Sequence, residues 1–141
     1  MPTTPKLAPA LAACGAQVVL RRGSGTRTLP LLDLYRLPTD DNRSLVVLEQ
    51  GELVTEVILP APPDASAYER AGERQAFSFP LVAVAGARHG ATTTLVAAGV
   101  ANIPRAIDPE DPLRDLPGNP QSAWKRDVVA ELARRTVARL R

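Results

Sequence analysis

The pattern of apolar and polar positions is sharpest between Gly51 and Pro60. In extended backbone, successive side chains alternate between two faces. Leu53, Thr55, Val57 and Leu59 therefore fall on one face, and Val54, Glu56 and Ile58 on the other. Gly51 suits a turn and Pro60 cannot donate to a ladder, so the pattern predicts a strand over 53–59. A second apolar run over 45–49, LVVLE, predicts a strand just before it.

Other segments repeat this logic. Residues 7–15, LAPALAACG, predict a short helix with Leu7, Leu11 and Cys14 on one face and Gly15 as its C-terminal cap. Residues 17–31 predict a hairpin around RGSG, and 31–37 a helical turn. The polar stretch 38–44 and the proline-rich stretch 60–66 read as loops, and 67–71 resumes the sheet. Residues 81–89 and 92–100 predict an antiparallel pair turning at His89-Gly90, and their many alanines suit a sheet closely covered by helices. Residues 102–120 read as a second proline-rich loop. A final helix over 122–141 takes Ser122 as N-cap, a stripe of Trp124, Val128, Leu132, Val137 and Leu140 widened by Val129 and Ala133, and an ion pair between Glu131 and Arg135.

With 141 residues and 45% hydrophobic content, the chain supports one modest core, and with 4% aromatic content that core must be built from Ala, Val and Leu. The net charge of +2 is too small to imply a nucleic-acid partner. One cysteine and one histidine give no internal disulfide and no His/Cys metal set. No run approaches the roughly 18 apolar residues of a membrane helix, and MPTTPK is not a signal peptide, so the cytoplasm is the expected location.

Candidate chemistry is sparse. His89 at a strand end reads as a turn residue, Cys14 as an inert thiol, and the acidic residues Asp40, Asp41, Asp108, Glu110 and Asp111 as solvated loop positions. The segment 21-RRGSGTR-27 could meet a phosphate through exposed N–H groups, but it lacks a phosphate-loop spacing and reads as a plain hairpin turn. The C-terminal arginines are interrupted by Asp127 and Glu131 and read as a solvated face. Residue by residue, the reading ends at an α+β domain without a legible active site.

The order of segments carries more. The run 51-GELVTEVILP-60 resembles a hallmark of the flavin-binding subunits of the molybdenum hydroxylases, the xanthine dehydrogenase and carbon monoxide dehydrogenase type enzymes, with Gln50 at a position where that family has proline. In register with it, 7-LAPALAACGAQVVL-20, 67-AYERAGERQAFSFPLVAVA-85, 95-LVAAGVANIPRA-106 and 122-SAWKRDVVAELARRTVARL-140 resemble further family segments. The resemblance implies a small α+β sandwich: a three- to four-stranded antiparallel sheet packed by helices, preceded by a short helix and hairpin. It implies that residues 1–37 are the end of the FAD-binding domain and 38–141 the C-terminal-like domain. It implies FAD as cofactor, and as partners the molybdenum-binding and iron–sulfur subunits or a separate N-terminal flavin-binding half.

The departures from the family are specific. The two glycine-rich loops that hold the pyrophosphate in that family have no counterpart here, Lys6 stands where the family has Asp, Ala98-Gly99 replaces Gly-Gly, and Arg70 replaces a lysine. The resemblance makes Arg70 the first candidate for flavin contact, with Leu53 and Val54 beside the ring and Arg74 next. The structural alternative for these four is sheet packing for Leu53 and Val54, and ion pairing with Glu69 or Glu73 for the arginines. Two functions follow: a flavin-subunit portion without turnover alone, or a non-enzymatic interaction domain that has lost the flavin site and could form a homodimer. A nucleic-acid binder is the weakest third.

Overall fold

The computed structural model describes residues 7–74, 78–114, 116 and 123–141. Lys6 and Ser122 lie outside them. Helix α1 (Leu7–Ala13) leads into the hairpin β1 (Gln17–Arg22) and β2 (Gly25–Pro30), then a 3-10 turn at Leu31–Leu34. Strands β3 (Leu53–Ile58), β4 (Ala65–Ala71), β5 (Val82–His89), β6 (Thr92–Ala98) and β7 (Arg105–Ile107) follow, and helix α2 (Ala123–Arg139) comes last. The strands form two antiparallel sheets, a three-stranded one in the order β2-β1-β3 and a four-stranded one in the order β4-β5-β6-β7. This is the expected α+β sandwich, with the hairpin joined by β3 into a sheet of its own.

The four-stranded sheet is the centre of the molecule. On one face Val82, Val84, Leu95, Ala97 and Ile107 pack with Val129, Leu132 and Ala133 of α2 and with Leu140 just after it. On the other, Ala85, Ala87 and Val96 pack with Ala12 and Ala13 of α1 and with Val18 and Leu20 of β1. Val82 to Ala87 are all buried, because β5 is covered on both sides. Each fully buried Val or Leu contributes about 1.5–3 kcal/mol. Gly86 is the closest point of this packing: a Cβ there would lie 2.6 Å from Thr136 Cγ2, 2.8 Å from Leu95 Cδ2 and 2.9 Å from Leu140 Cδ1. Polar ties fix α2 on the sheet: Lys125 Nζ donates to Gly99 O at 2.9 Å, and Arg88 Nε donates to Leu140 O at 2.7 Å.

Several expectations are corrected. Residues 45–49 form no strand; only Tyr35 and Val46 bridge, supported by the bonds Arg36 N–H to Leu45 O and Val47 N–H to Leu34 O. β3 therefore pairs with β1 and not with this segment. A bulge also breaks the alternation of β3. Leu53 and Glu56 lie opposite Arg21 and Val19, whereas Val54 and Val57 lie opposite Leu20 and Val18, so Leu53 and Val57 take opposite faces. On α1 the buried side chains are Ala8, Pro9, Ala12 and Ala13, with Leu7 in solvent, since only small, compact side chains let the helix approach the alanine-rich sheet closely. On α2 the predicted stripe holds at Val129, Leu132 and Ala133, and at Leu140 just after the helix, with Val128 and Val137 partly buried; the exception is Trp124, which is exposed, and Thr136 joins the buried face. The proline-rich segment 102–120 contains β7, which pairs with β6.

Candidate functional site

The predicted strand over 53–59 becomes an open edge. Leu53 is 68% exposed and Val54 42%, and Val57, Ile58 and Leu59 are exposed as well. The turn before β3 is held by Glu52. Its carboxylate accepts from Arg27 Nε at 2.7 Å and Nη2 at 2.8 Å, and from the Glu49 N–H at 3.0 Å. Arg27 and the Glu49 N–H hold the Glu52 carboxyl at about 2, well below the usual carboxylate range. Arg22 Nη1 similarly donates to Glu49 Oε2 at 2.7 Å.

These two ion pairs line a cleft of about 300 Å³, with Leu20, Gly25 and Thr26 completing its walls. The cleft contains none of the four residues singled out from the sequence. Arg22 and Arg27, two of the arginines of 21-RRGSGTR-27, are held by carboxylates in it, so the segment is built as a hairpin turn and not as a phosphate cradle.

Arg70 lies on β4, opposite Ala83 of β5 and two residues from Tyr68, so both side chains leave the same face of the sheet. Tyr68 packs against the core cluster shared by α1 and β1. Its hydroxyl is buried without a hydrogen-bond partner among the described residues. Burial raises the Tyr68 phenol above its ordinary value, and the charge of Arg70 works against that rise. Arg74 follows in the turn after β4, where its carbonyl accepts from Ser78 Oγ at 2.9 Å. Both arginines are exposed. Glu69, offered as an ion-pair partner for the arginines of this segment, pairs with Arg139 of α2 at 2.7 Å.

Sequence reasoning missed Tyr68 as a separate candidate and missed the Arg27–Glu52 pair. The alternation of β4 could have placed Tyr68 beside Arg70. No local signal links Arg27 to Glu52 across 25 residues.

The remaining candidates are structural. His89 Nε2 lies 3.4 Å from Ala61 O at the exposed end of β5, and Gly90 N–H donates to Asp64 Oδ2 at 2.6 Å. Asp108 and Asp111 pair with Arg114. Glu131 accepts from Arg134 and Arg135, which hold its carboxyl at about 2. Among the described residues no group of three or more His, Cys, Asp or Glu could hold a metal ion, and no helix is long and apolar enough to cross a membrane.

Residues 4–62 match the family model described as the FAD binding domain in molybdopterin dehydrogenase. This match spans α1 and the whole three-stranded sheet, and it stops before β4. No curated protein matches the chain. Among solved structures, quinoline 2-oxidoreductase from Pseudomonas putida 86 is similar over 96% of this chain and 55% of its own, with a TM-score of 0.73 at 14% identity. The reconstituted CO dehydrogenase from Oligotropha carboxidovorans is similar over 95% of this chain and 55% of its own, with a TM-score of 0.73 at 19% identity. Carbon monoxide dehydrogenase from Hydrogenophaga pseudoflava gives 94% and 55%, 0.73 and 18%. The chain thus spans about half the length of the solved chains it matches, and shares their fold over nearly all of its own length. The family resemblance read from the sequence is matched by the family model over residues 4–62, and the solved structures share the fold.

Proposed function

We propose that this chain is the C-terminal portion of a flavin-binding oxidoreductase subunit of the molybdenum hydroxylase type. In this reading it contributes to the flavin environment and to subunit packing, without turnover alone. The observation that carries the proposal is the family match over α1 to β3, which coincides with the sheet whose apolar edge is left open. Residues 1–37 are the end of the FAD-binding domain and 38–141 the C-terminal-like domain. The partners are molybdenum-binding and iron–sulfur subunits, or a separate chain carrying the nucleotide-binding half, in the cytoplasm.

Among the described residues the support for a flavin ring is partial. Leu53 and Val54 are exposed but take opposite faces of β3, and Arg70 and Arg74 are exposed on and after β4 in the other sheet. The Tyr68 hydroxyl, without a hydrogen-bond partner among the described residues, lies on the face of Arg70. They do not offer a pyrophosphate cradle. The positive-φ glycines, Gly15, Gly23, Gly51, Gly90 and Gly99, stand singly in separate turns, and Arg22 and Arg27 are already paired. Bound FAD supplies the electron-accepting chemistry; the side chains here bind and orient its ring. The absence of a cradle among the described residues also favours a second reading, an interaction domain that keeps the sandwich without the flavin.

Fluorescence titration of the purified chain with FAD, FMN and riboflavin separates the two. The first reading expects saturable binding of all three with similar affinity, weakened by Arg70→Ala. Silence up to millimolar FAD would leave the interaction domain.

A further inference from the structure

The segment leading into β3 is tied down unevenly. Residues 45–47 are held by backbone: Arg36 N–H donates to Leu45 O, Val47 N–H donates to Leu34 O, and Tyr35 bridges Val46. From Leu53 onward, β3 is held by its ladder to β1. Between these two anchors, residues 48–52 make no backbone-to-backbone hydrogen bond to the rest of the chain among the described residues. Their bonds close only their own turn. Glu52 N–H donates to Glu49 O at 3.0 Å, and Glu49 N–H donates to the Glu52 carboxylate at 3.0 Å.

Two side chains of the hairpin hold this turn from outside. Arg22 meets Glu49 with both side chains more than half exposed, and a pair in that setting adds little. Arg27 does more. Its Nε and Nη2 take both oxygens of Glu52, and Nη2 also reaches Val47 O at 3.2 Å. The Glu52 carboxylate is buried, and a buried carboxylate stripped of its cation is strongly disfavoured. Without Arg27 it must move out to water, and the turn goes with it. Little resists that movement: Glu49, Gln50 and Gly51 are exposed, and only Leu48 is partly buried against the core. Gly51, at a φ of 79° with nothing within 4 Å of where a Cβ would stand, is free to act as the hinge. The turn and the hairpin enclose the cleft between them, with Glu49 and Glu52 on one side and Leu20, Gly25 and Thr26 on the other.

We propose that residues 48–52 form a strap that swings off the hairpin and back as one unit while the rest of the fold stays intact, with the Arg27 guanidinium as its latch. Opening unroofs the cleft over Leu20, Gly25 and Thr26, and closing restores it. The device lies wholly within this chain and does not depend on flavin binding.

Native-state hydrogen exchange on the full, isotope-labelled chain tests it. The amides of Glu49 and Glu52 report on the strap, because their bonds lie within it, and the ladder amides of β5 and β6 report on the whole fold. In the unaltered chain the two strap amides should exchange about tenfold or more faster than the ladder amides, at a rate that low denaturant leaves unchanged. Arg27→Ala should speed the strap amides by about another tenfold and leave the ladder amides as they were. Arg27→Lys should fall between, since it keeps the charge without the fork, and Arg22→Ala should change the strap amides less than about threefold. Strap amides exchanging at the ladder rate, no effect of Arg27→Ala, or equal acceleration in strap and ladder would overturn the proposal. So would unfolding of Arg27→Ala, because the strap would then not be separable, or an Arg22→Ala effect as large as that of Arg27→Ala.

Discussion

Glu52 holds both arms of the Arg27 guanidinium, at 2.7 and 2.8 Å, and thereby ties the turn before β3 to the outer strand of the hairpin. The Glu52 side chain is only 6% exposed. The pair sets where the apolar edge begins, since Leu53 is the next residue.

This pair makes stability depend on acid. The Glu52 carboxyl is lowered from 4.5 to about 2, and that of Glu131 likewise. A carboxylate with a depressed folded-state value contributes stability that is present above its unfolded value and is lost as pH falls through the folded one. The melting temperature should therefore decline from pH about 4.5 down to about 2. In Glu52→Gln combined with Glu131→Gln the decline should be shallower. An unchanged slope in circular-dichroism melts would refute the assignment.

The face of α2 that enters the core can be checked by truncation. Leu132→Ala should cost about 2–5 kcal/mol in chemical denaturation, since Leu132 is buried against the central sheet. Trp124→Ala should cost less than about 1 kcal/mol, because Trp124 is exposed, with Lys125 Nζ 5.8 Å from the centre of its ring. The reverse order would contradict the burial of Leu132 and the exposure of Trp124.

Two glycines should resist alanine for different reasons. At Gly86 the new methyl meets three side chains at 2.6–2.9 Å, an overpacking worth about 1–3 kcal/mol. At Gly99 it would lie 2.2 Å from Leu81 O, on a backbone with φ of 87°, so Gly99→Ala should be the more damaging. Denaturant midpoints of the two variants give the ranking.

The turns were legible because their cause is local. Gly15, Gly23, Gly51 and Gly90 stand at positive φ where the sequence places a cap or a turn, and the hairpin 17–31 and the pair 81–89 with 92–100 follow from them. The open features have distant causes. Residues 45–49 have strand composition, yet their backbone bonds to the segment 34–36 through Arg36 N–H to Leu45 O and Val47 N–H to Leu34 O, a partner distant from any local signal. The bulge that separates Leu53 from Val57 is set by the pairing of β3 with β1. Leu53, Val54, Arg70 and Arg74 were singled out through family segments and Tyr68 could have been placed by the alternation of β4, whereas the Arg27–Glu52 pair depends on a contact that only the folded chain creates.

The central proposal is that residues among Leu53, Val54, Arg70 and Arg74 contact a flavin ring. Amide and side-chain spectra of the labelled chain during titration with riboflavin and FAD test it most directly. The account predicts saturable shifts at these four residues and at Tyr68, with the same pattern for both ligands. Shifts confined to the hairpin cleft around Arg22 and Arg27, or none up to millimolar ligand, would contradict it.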